Sequence, residues 1–454
     1  MRAFRRLCAY AAITMAIAGM SMPAAVAQSA YPTTPTPRPQ DPNQPPGRVQ
    51  EDIPRPVIGD AGTMLGIVRL LPETAPGDAF FNDPEFESKL PKQAVLEAGM
   101  GRAVAQVNSE AYLAHEHSVA EASPFGVGIM GYVPQVPGGL SQNALSDHDA
   151  PTTSALAPPS SPADQLVRLS GLNGTVHARW NQETGPCGVA PLSEARYSMA
   201  SGSALDQVPG LGGSVLEVPS IAEARSSVRL ADVPGQTGKA VTSTSELQIS
   251  QVKLFSGSPQ EISVDVVGRP VVVATATGDP ATTRVDHSAP VLRISQGGRE
   301  IAVLDAANPT ADVPIPAIPG LDQRVLDLGV LRLSLGELKR EAMGNEIRGT
   351  ARLFDLKLLD GTKLGLPTAL AQISFGEQVA RAAAPAGGVN CDPPVAGAAG
   401  GAEATPAAYH QARTEPLALT SGSYFAVPIF WTGAGLLLLG SILVAALPRR
   451  NAKH

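Results

Sequence analysis

Several stretches of the chain place reactive side chains close together. His115-Glu116-His117 sets two imidazoles two positions apart, and on a strand both would point to one face and could chelate zinc or copper. Asp147-His148-Asp149 offers a second polar trio, and Asp286-His287 a weaker one. Spacing assigns no third ligand to either trio, and the chain contains no Cys-x-x-Cys. Ser250-Gln251-Val252-Lys253 satisfies Ser-x-x-Lys in form. That motif needs Ser and Lys one helical turn apart, whereas these residues sit in an alternating strand pattern and no Lys-Thr-Gly follows. Gly139-Leu140-Ser141-Gln142-Asn143 lacks the last glycine of a nucleophile elbow. Gly235-Gln236-Thr237-Gly238-Lys239 is half a phosphate loop, with Val233 at the first-glycine position and Ala240 at the Ser/Thr position. It reads as a turn. Acidic pairs such as Asp83 and Glu85 need geometry before one can be cast as acid and the other as base. No catalytic, metal-ligating or cofactor-binding residue is assigned, and no cofactor is expected.

The two ends of the chain carry a stronger signal. Arg2, Arg5 and Arg6 precede a short apolar core, Leu7 to Ala18, and Ala25-Val26-Ala27 is a small-x-small cleavage site. This is the tripartite pattern of a secretory signal, with cleavage expected after Ala27. At the other end, residues 424–447 contain no charged side chain. At about 1.5 Å per residue such a helix crosses a hydrocarbon core of about 30 Å. Arg449, Arg450 and Lys453 follow, which orients the tail to the cytoplasm and the bulk of the chain outside.

Just before that apolar stretch stands Leu417-Ala418-Leu419-Thr420-Ser421. A pentapeptide of this kind, an apolar segment and an Arg-Arg tail resemble the sorting signal of sortase-anchored surface proteins of Gram-positive bacteria. That family carries Leu-Pro-x-Thr-Gly, or Leu-Ala-x-Thr-Gly in many actinobacteria. The resemblance implies attack of a sortase cysteine on the Thr420 carbonyl and transfer to a cell-wall amine. Leu417, Ala418 and Thr420 match the second form, and Ser421 replaces the glycine at the scissile bond. The alternative is a plain membrane anchor.

Composition narrows the partners. Formal charge is −7, and setting aside the basic residues of the two ends leaves the exterior part more acidic still. Such a surface repels phosphate backbones, so nucleic acid is not an expected partner. Outside the leader only Cys187 and Cys391 remain. An oxidising exterior favours one disulfide between them over two buried thiols. Aromatic residues make up 4%, which argues against a polysaccharide-degrading cleft with its usual stacking platforms.

These features set the organisation to be expected. Residues 1–27 form the signal and 28–58 a proline-rich linker. Residues 59–133 form a small mixed region, in which 90–117 shows helical spacing interrupted by Gly99 and Gly101 and reads equally as strand beyond Gly101. Residues 134–163 form a loop-rich linker, and 164–392 a β-rich ectodomain of one large or two small modules. Residues 393–423 are an Ala/Gly/Pro stalk, 424–447 a transmembrane helix and 448–454 a basic tail. The ectodomain pattern is clear in Glu261-Ile-Ser-Val-Asp-Val-Val267, whose apolar residues share one face. In 245–255 the alternation changes phase after Ile249, as at a bulge. Residues 245–257 echo 350–361, with Lys253 on Lys357 and Gly257 on Gly361, and 194–210 is a looser third copy. The fold class expected is mainly β, sandwich-like, and the role structural or adhesive at the cell membrane or wall, with an unknown protein partner. The competing class is an envelope hydrolase or metal-binding enzyme acting on peptidoglycan, which would require a cleft of convergent polar groups.

Overall fold

Alternating apolar and polar residues build many of the strands, because successive side chains of a strand face opposite sides of its sheet. The computed structural model describes residues 56–70, 96–111, 114–129, 138–144, 150–156, 167–181, 184–187, 191–204, 213–259, 261–314, 330–358 and 371–391. All of them belong to one compact unit. The signal, the stalk, the pentapeptide 417–421, the segment 424–447 and the tail lie outside the described residues. Among those described, no helix is long and apolar enough to cross a membrane.

The chain begins with β1 (Ile58–Leu70), β2 (Leu96–Asn108), a 3-10 turn (Ala114–Glu116), β3 (Ser118–Ile129), β4 (Leu140–Asn143) and β5 (Thr152–Ala155). Then come β6 (Val167–Ser170), β7 (Asn173–Ala178), β8 (Ser193–Met199), β9 (Ser201–Ala204), β10 (Leu216–Val218) and β11 (Ala222–Ala231). These are followed by β12 (Ala240–Gln248), β13 (Gln251–Leu254), β14 (Ile262–Val267), β15 (Val271–Ala276), β16 (Arg284–Ser288), β17 (Val291–Gln296) and β18 (Arg299–Leu304). The last are β19 (Thr310–Pro314), β20 (Val330–Leu335), β21 (Lys339–Met343), β22 (Glu346–Ala351), β23 (Phe354–Leu358) and β24 (Ala371–Ala383).

They form three antiparallel sheets. A 10-stranded sheet runs β19-β20-β23-β24-β1-β2-β3-β4, with β22 also on β24 and β21 on β22. The other two have seven strands each, in the orders β18-β17-β14-β13-β10-β9-β6 and β16-β15-β12-β11-β8-β7-β5. Those two orders correspond pairwise: β17 continues β16, β14 leads into β15, β12 into β13, β10 into β11, β8 into β9 and β6 into β7. The pair is one meander whose six strands are each broken at a joint, at residues 171–172, 200, 219–221, 249–250, 268–270 and 289–290. Pro219, Pro270 and Pro290 occupy three of these joints, where a residue with no N–H interrupts the ladder at least cost.

The 10-stranded sheet bends along a matching line. Its registers step from Met64↔Arg102 to Gly66↔Met100, from Arg102↔Ser123 to Met100↔Phe125, and from Met64↔Glu377 to Gly66↔Phe375. Leu65, Gly101, Pro124 and Gly376 are thereby left out of the pairing in one row across four strands. Beside them β22 stops and β23 restarts around Leu353, whose amide bonds the Phe375 and Gly376 carbonyls. Gly101 and Gly376 have φ of 65° and 60°, a region that L side chains avoid. A Cβ at Gly101 would lie 2.5 Å from the Leu65 side chain and 2.7 Å from Tyr197. Two bent sheets thus nest, the fold line of one against the joints of the other.

In region 59–133, expected as a small mixed region, the described residues supply three long strands of the 10-stranded sheet and one 3-10 turn. Gly99 and Gly101 belong to a strand that bends there and do not interrupt a helix. The expected linker 134–163 contains β4 and β5, which pair at the edges of two sheets. Because β24 pairs with β1 along its length, the N-terminal strands and the region from residue 164 onward share one sheet.

Candidate contact surface

The seven-stranded sheet containing β8, β11 and β12 packs one face on the 10-stranded sheet. The Ser226 hydroxyl donates to the Ala103 carbonyl at 2.9 Å, and Ser245 to Gly62 at 2.9 Å. Thr63 completes this layer, donating to Arg225 O at 2.8 Å and lying within 2.6 Å of the Ser245 hydroxyl. Period-2 alternation then fixes what the opposite face presents: Glu194 and Arg196 on β8, Glu223, Arg225, Ser227 and Arg229 on β11, and Thr244 and Glu246 on β12.

On this outer face arginines meet acids across strands. Arg225 and Arg196 stand directly opposite each other, a like-charge pairing that costs stability unless neighbours compensate. They do so diagonally: Arg225 Nη2 to Glu194 Oε1 is 2.5 Å, Arg196 Nη2 to Glu223 Oε2 is 2.6 Å, and Arg269 Nη1 reaches Glu246 Oε1 at 2.5 Å. The Glu194 hydrogen bond holds the Arg225 guanidinium above its ordinary pKa. Arg229 has no described acidic partner. It lines an open depression with Arg225, Ser227, Thr244 and Glu246. The arginines are about half exposed, and such pairs contribute only about 0.2–1 kcal/mol each. Their concentration on one face therefore adds little to stability.

The residues singled out from sequence are scattered. His115 falls in the 3-10 turn, so it and His117 do not share a strand face. The His117 ring stacks on Trp180, centroids 4.8 Å apart. Among the described residues, no three His, Cys, Asp or Glu side chains are placed to hold a metal ion. Ser250 sits at a joint, its hydroxyl 2.6 Å from Ser220, while Lys253 pairs with Glu261 at 3.0 Å. Ser and Lys are not assembled. Lys239 pairs with Asp232 at 3.2 Å, and its backbone bridges to Val389. Asp83, Glu85 and the Asp147–Asp149 trio lie outside the described residues.

Cys187 and Cys391 are joined by a disulfide that closes a sequence separation of 204. Buried acids are held by arginines. Arg69 Nη2 binds Glu377 at 2.5 Å, and Arg352 bridges Glu377 and Asp355, both at 3.1 Å. Arg381 binds Glu346 at 2.7 Å and Asp60 at 3.3 Å. Burial pushes the Asp60 carboxyl up to about 7 against the opposing pull of Arg381. The charged face was not anticipated, although a signal for it exists: Glu-Ala-Arg occurs at 194–196 and again at 223–225, each with its charges on alternate positions of a strand.

Comparison with known protein families and with curated protein sequences finds no match. The class defined by the structure itself is a mainly β, disulfide-closed sandwich.

Proposed function

We propose that the chain is an exported surface protein, held at its C-terminal end in the membrane or on the cell wall, whose β-rich body plays a structural or adhesive role. In this reading residues 1–27 are removed, residues 424–447 form the transmembrane helix, and residues 393–423 space the body from the surface. Leu417, Ala418, Thr420 and Ser421 mark the site at which a sortase would exchange the membrane anchor for a wall linkage. The charged outer face with Glu194, Arg196, Glu223, Arg225 and Arg229 serves as the contact surface for a protein partner.

The observation that carries the proposal is the Cys187–Cys391 disulfide, a bond that persists in oxidising compartments outside the cytosol. It agrees with the leader and the apolar C-terminal stretch, which point outward independently. The test is cell fractionation with mass spectrometry of the mature C-terminus. A peptide ending at Thr420 and linked to wall fragments supports sorting. Intact Arg449-Arg450 in the membrane fraction supports the plain anchor. Recovery of the full chain, leader included, in the cytosol overturns the proposal.

A further inference from the structure

Beyond Ala383 the chain leaves the 10-stranded sheet and crosses to the sheet that carries the charged face. Val389 exchanges two backbone hydrogen bonds with Lys239, just ahead of β12, at 2.8 and 2.9 Å. The Gly387 amide donates to Gly278 O at 3.3 Å, just past β15. A Cβ at Gly238 would overlap the Gly387 carbonyl, and one at Gly278 would overlap that of Pro385. Ala384 and Val389 are fully buried. The crossing ends at Cys391, bonded to Cys187. Cys187 lies in a turn tied internally by Asn181–Gly185 pairing and by Thr184 to Asn181 Oδ1 at 2.8 Å. The turn follows buried Trp180 at the end of β7.

We infer that this strap and its disulfide form a latch against tension for a chain tethered at its C-terminus. The inference rests on the anchored reading given above. Tension entering at residue 391 with no disulfide would strip the strap and then reach Ala383, the end of β24. Ala383 pairs with Ile58, the first residue of β1. Antiparallel neighbours pulled from a shared end separate one residue pair at a time, because each ladder bond bears the load alone. β24 holds β1 on one side and β22 and β23 on the other, so peeling it opens the 10-stranded sheet. With the disulfide closed, tension passes from Cys391 to Cys187 and on to β7, within the sheet that presents the contact surface. The chain between the two cysteines, β24 included, then carries no tension along its own backbone, and β24 is loaded only through its ladder to β1.

Single-molecule pulling on the mature chain, with handles at its two ends, tests the latch. The oxidised protein is expected to release only the chain from residue 56 to 187, roughly two-fifths of the contour freed when residues 56–391 all extend. Its first rupture should come at a higher force than in the Cys187→Ser/Cys391→Ser protein or in the wild type reduced in place, with folding checked by circular dichroism. The Val389→Pro variant, which keeps both cysteines but loses the amide bond to Lys239, should retain the short contour and the high first force. Equal first-rupture forces with and without the disulfide would overturn the latch, as would a Val389→Pro variant as weak as the cysteine-free chain. Pulling judges the latch and fractionation judges the anchor, so failure of one is told apart from failure of the other.

Discussion

Two buried regions of the body are built from different residues. Around the fold line Leu65, Tyr197, Leu247, Phe354, Phe375 and Leu333 join Ile262, Ile294 and Leu304 in one cluster. Toward the disulfide end the second cluster is mostly Ala and Val, among them Ala61, Ala105, Ala274, Ala380, Ala382, Val228 and Val241, with Trp180 and Cys187 at its margin. Among the largest fully buried side chains only Leu192 belongs to this second cluster. The hydroxyl layer of Thr63, Ser226 and Ser245 lies between the sheets here as well. Where the bent sheets diverge, large side chains are needed to fill the space. Where they run close together only small ones fit: a Cβ on Gly59 would overlap the Val228 side chain. The corner therefore supplies most of the hydrophobic stabilisation, and the close-packed end is held by hydrogen bonds, shape and a covalent bond.

Substitutions should separate these contributions. The largest effect belongs to the corner. Phe375→Ala removes a fully buried ring stacked on Phe354 at 4.7 Å and should cost about 3–5 kcal/mol in denaturant unfolding. Next is the buried charge. The folded-state pKa of Asp60 lies near 7, above the ordinary 3.8, so the protonated form favours the fold. Its contribution to stability should be complete below about pH 4, fall as pH rises toward 7 and level off above it, with a total loss on the order of 4 kcal/mol. Asp60→Asn should flatten that profile, and a wild-type profile that rises over the same window would contradict the assignment. Thr63→Val, in the hydroxyl layer, keeps volume but removes the hydroxyl's bonds to Arg225 O and the Ser245 hydroxyl and should cost about 1–2 kcal/mol. Smallest is Arg196→Ala on the outer face, expected to change stability by less than about 0.5 kcal/mol. A loss at Arg196 as large as that at Thr63 would mean that the charged face stabilises the fold.

Several strands from residue 167 onward were legible because their alternation is strict, as in β14 with Ile262, Val264 and Val266 buried. The phase change after Ile249 was legible too, and the structure turns it into the joint between β12 and β13. The echo between 245–257 and 350–361 has a local cause. Both are strands broken at a bend, at residues 249–250 and 352–353, in different sheets, and the looser copy breaks at Ala200. Shared local rules account for the likeness without duplicated modules. Long-range pairing was hidden. Nothing local tells Ile58 that its partner is Ala383, and Gly101 interrupts a helical pattern as readily as it bends a strand. Short polar edge strands such as Thr152–Ala155, exposed throughout, carry the composition of a loop. The cysteine pair was legible from compartment alone, whereas the charged face needed sheet geometry to bring its two Glu-Ala-Arg segments together.

Protease shaving of intact cells, followed by peptide mapping without reduction, tests the central claim of an exported, tethered and disulfide-closed body most directly. The account predicts release of a body whose N-terminal peptide begins at Gln28 and whose Cys187 and Cys391 peptides are recovered as one linked species. Peptides that emerge only after lysis, with the leader retained and both thiols free, would contradict it.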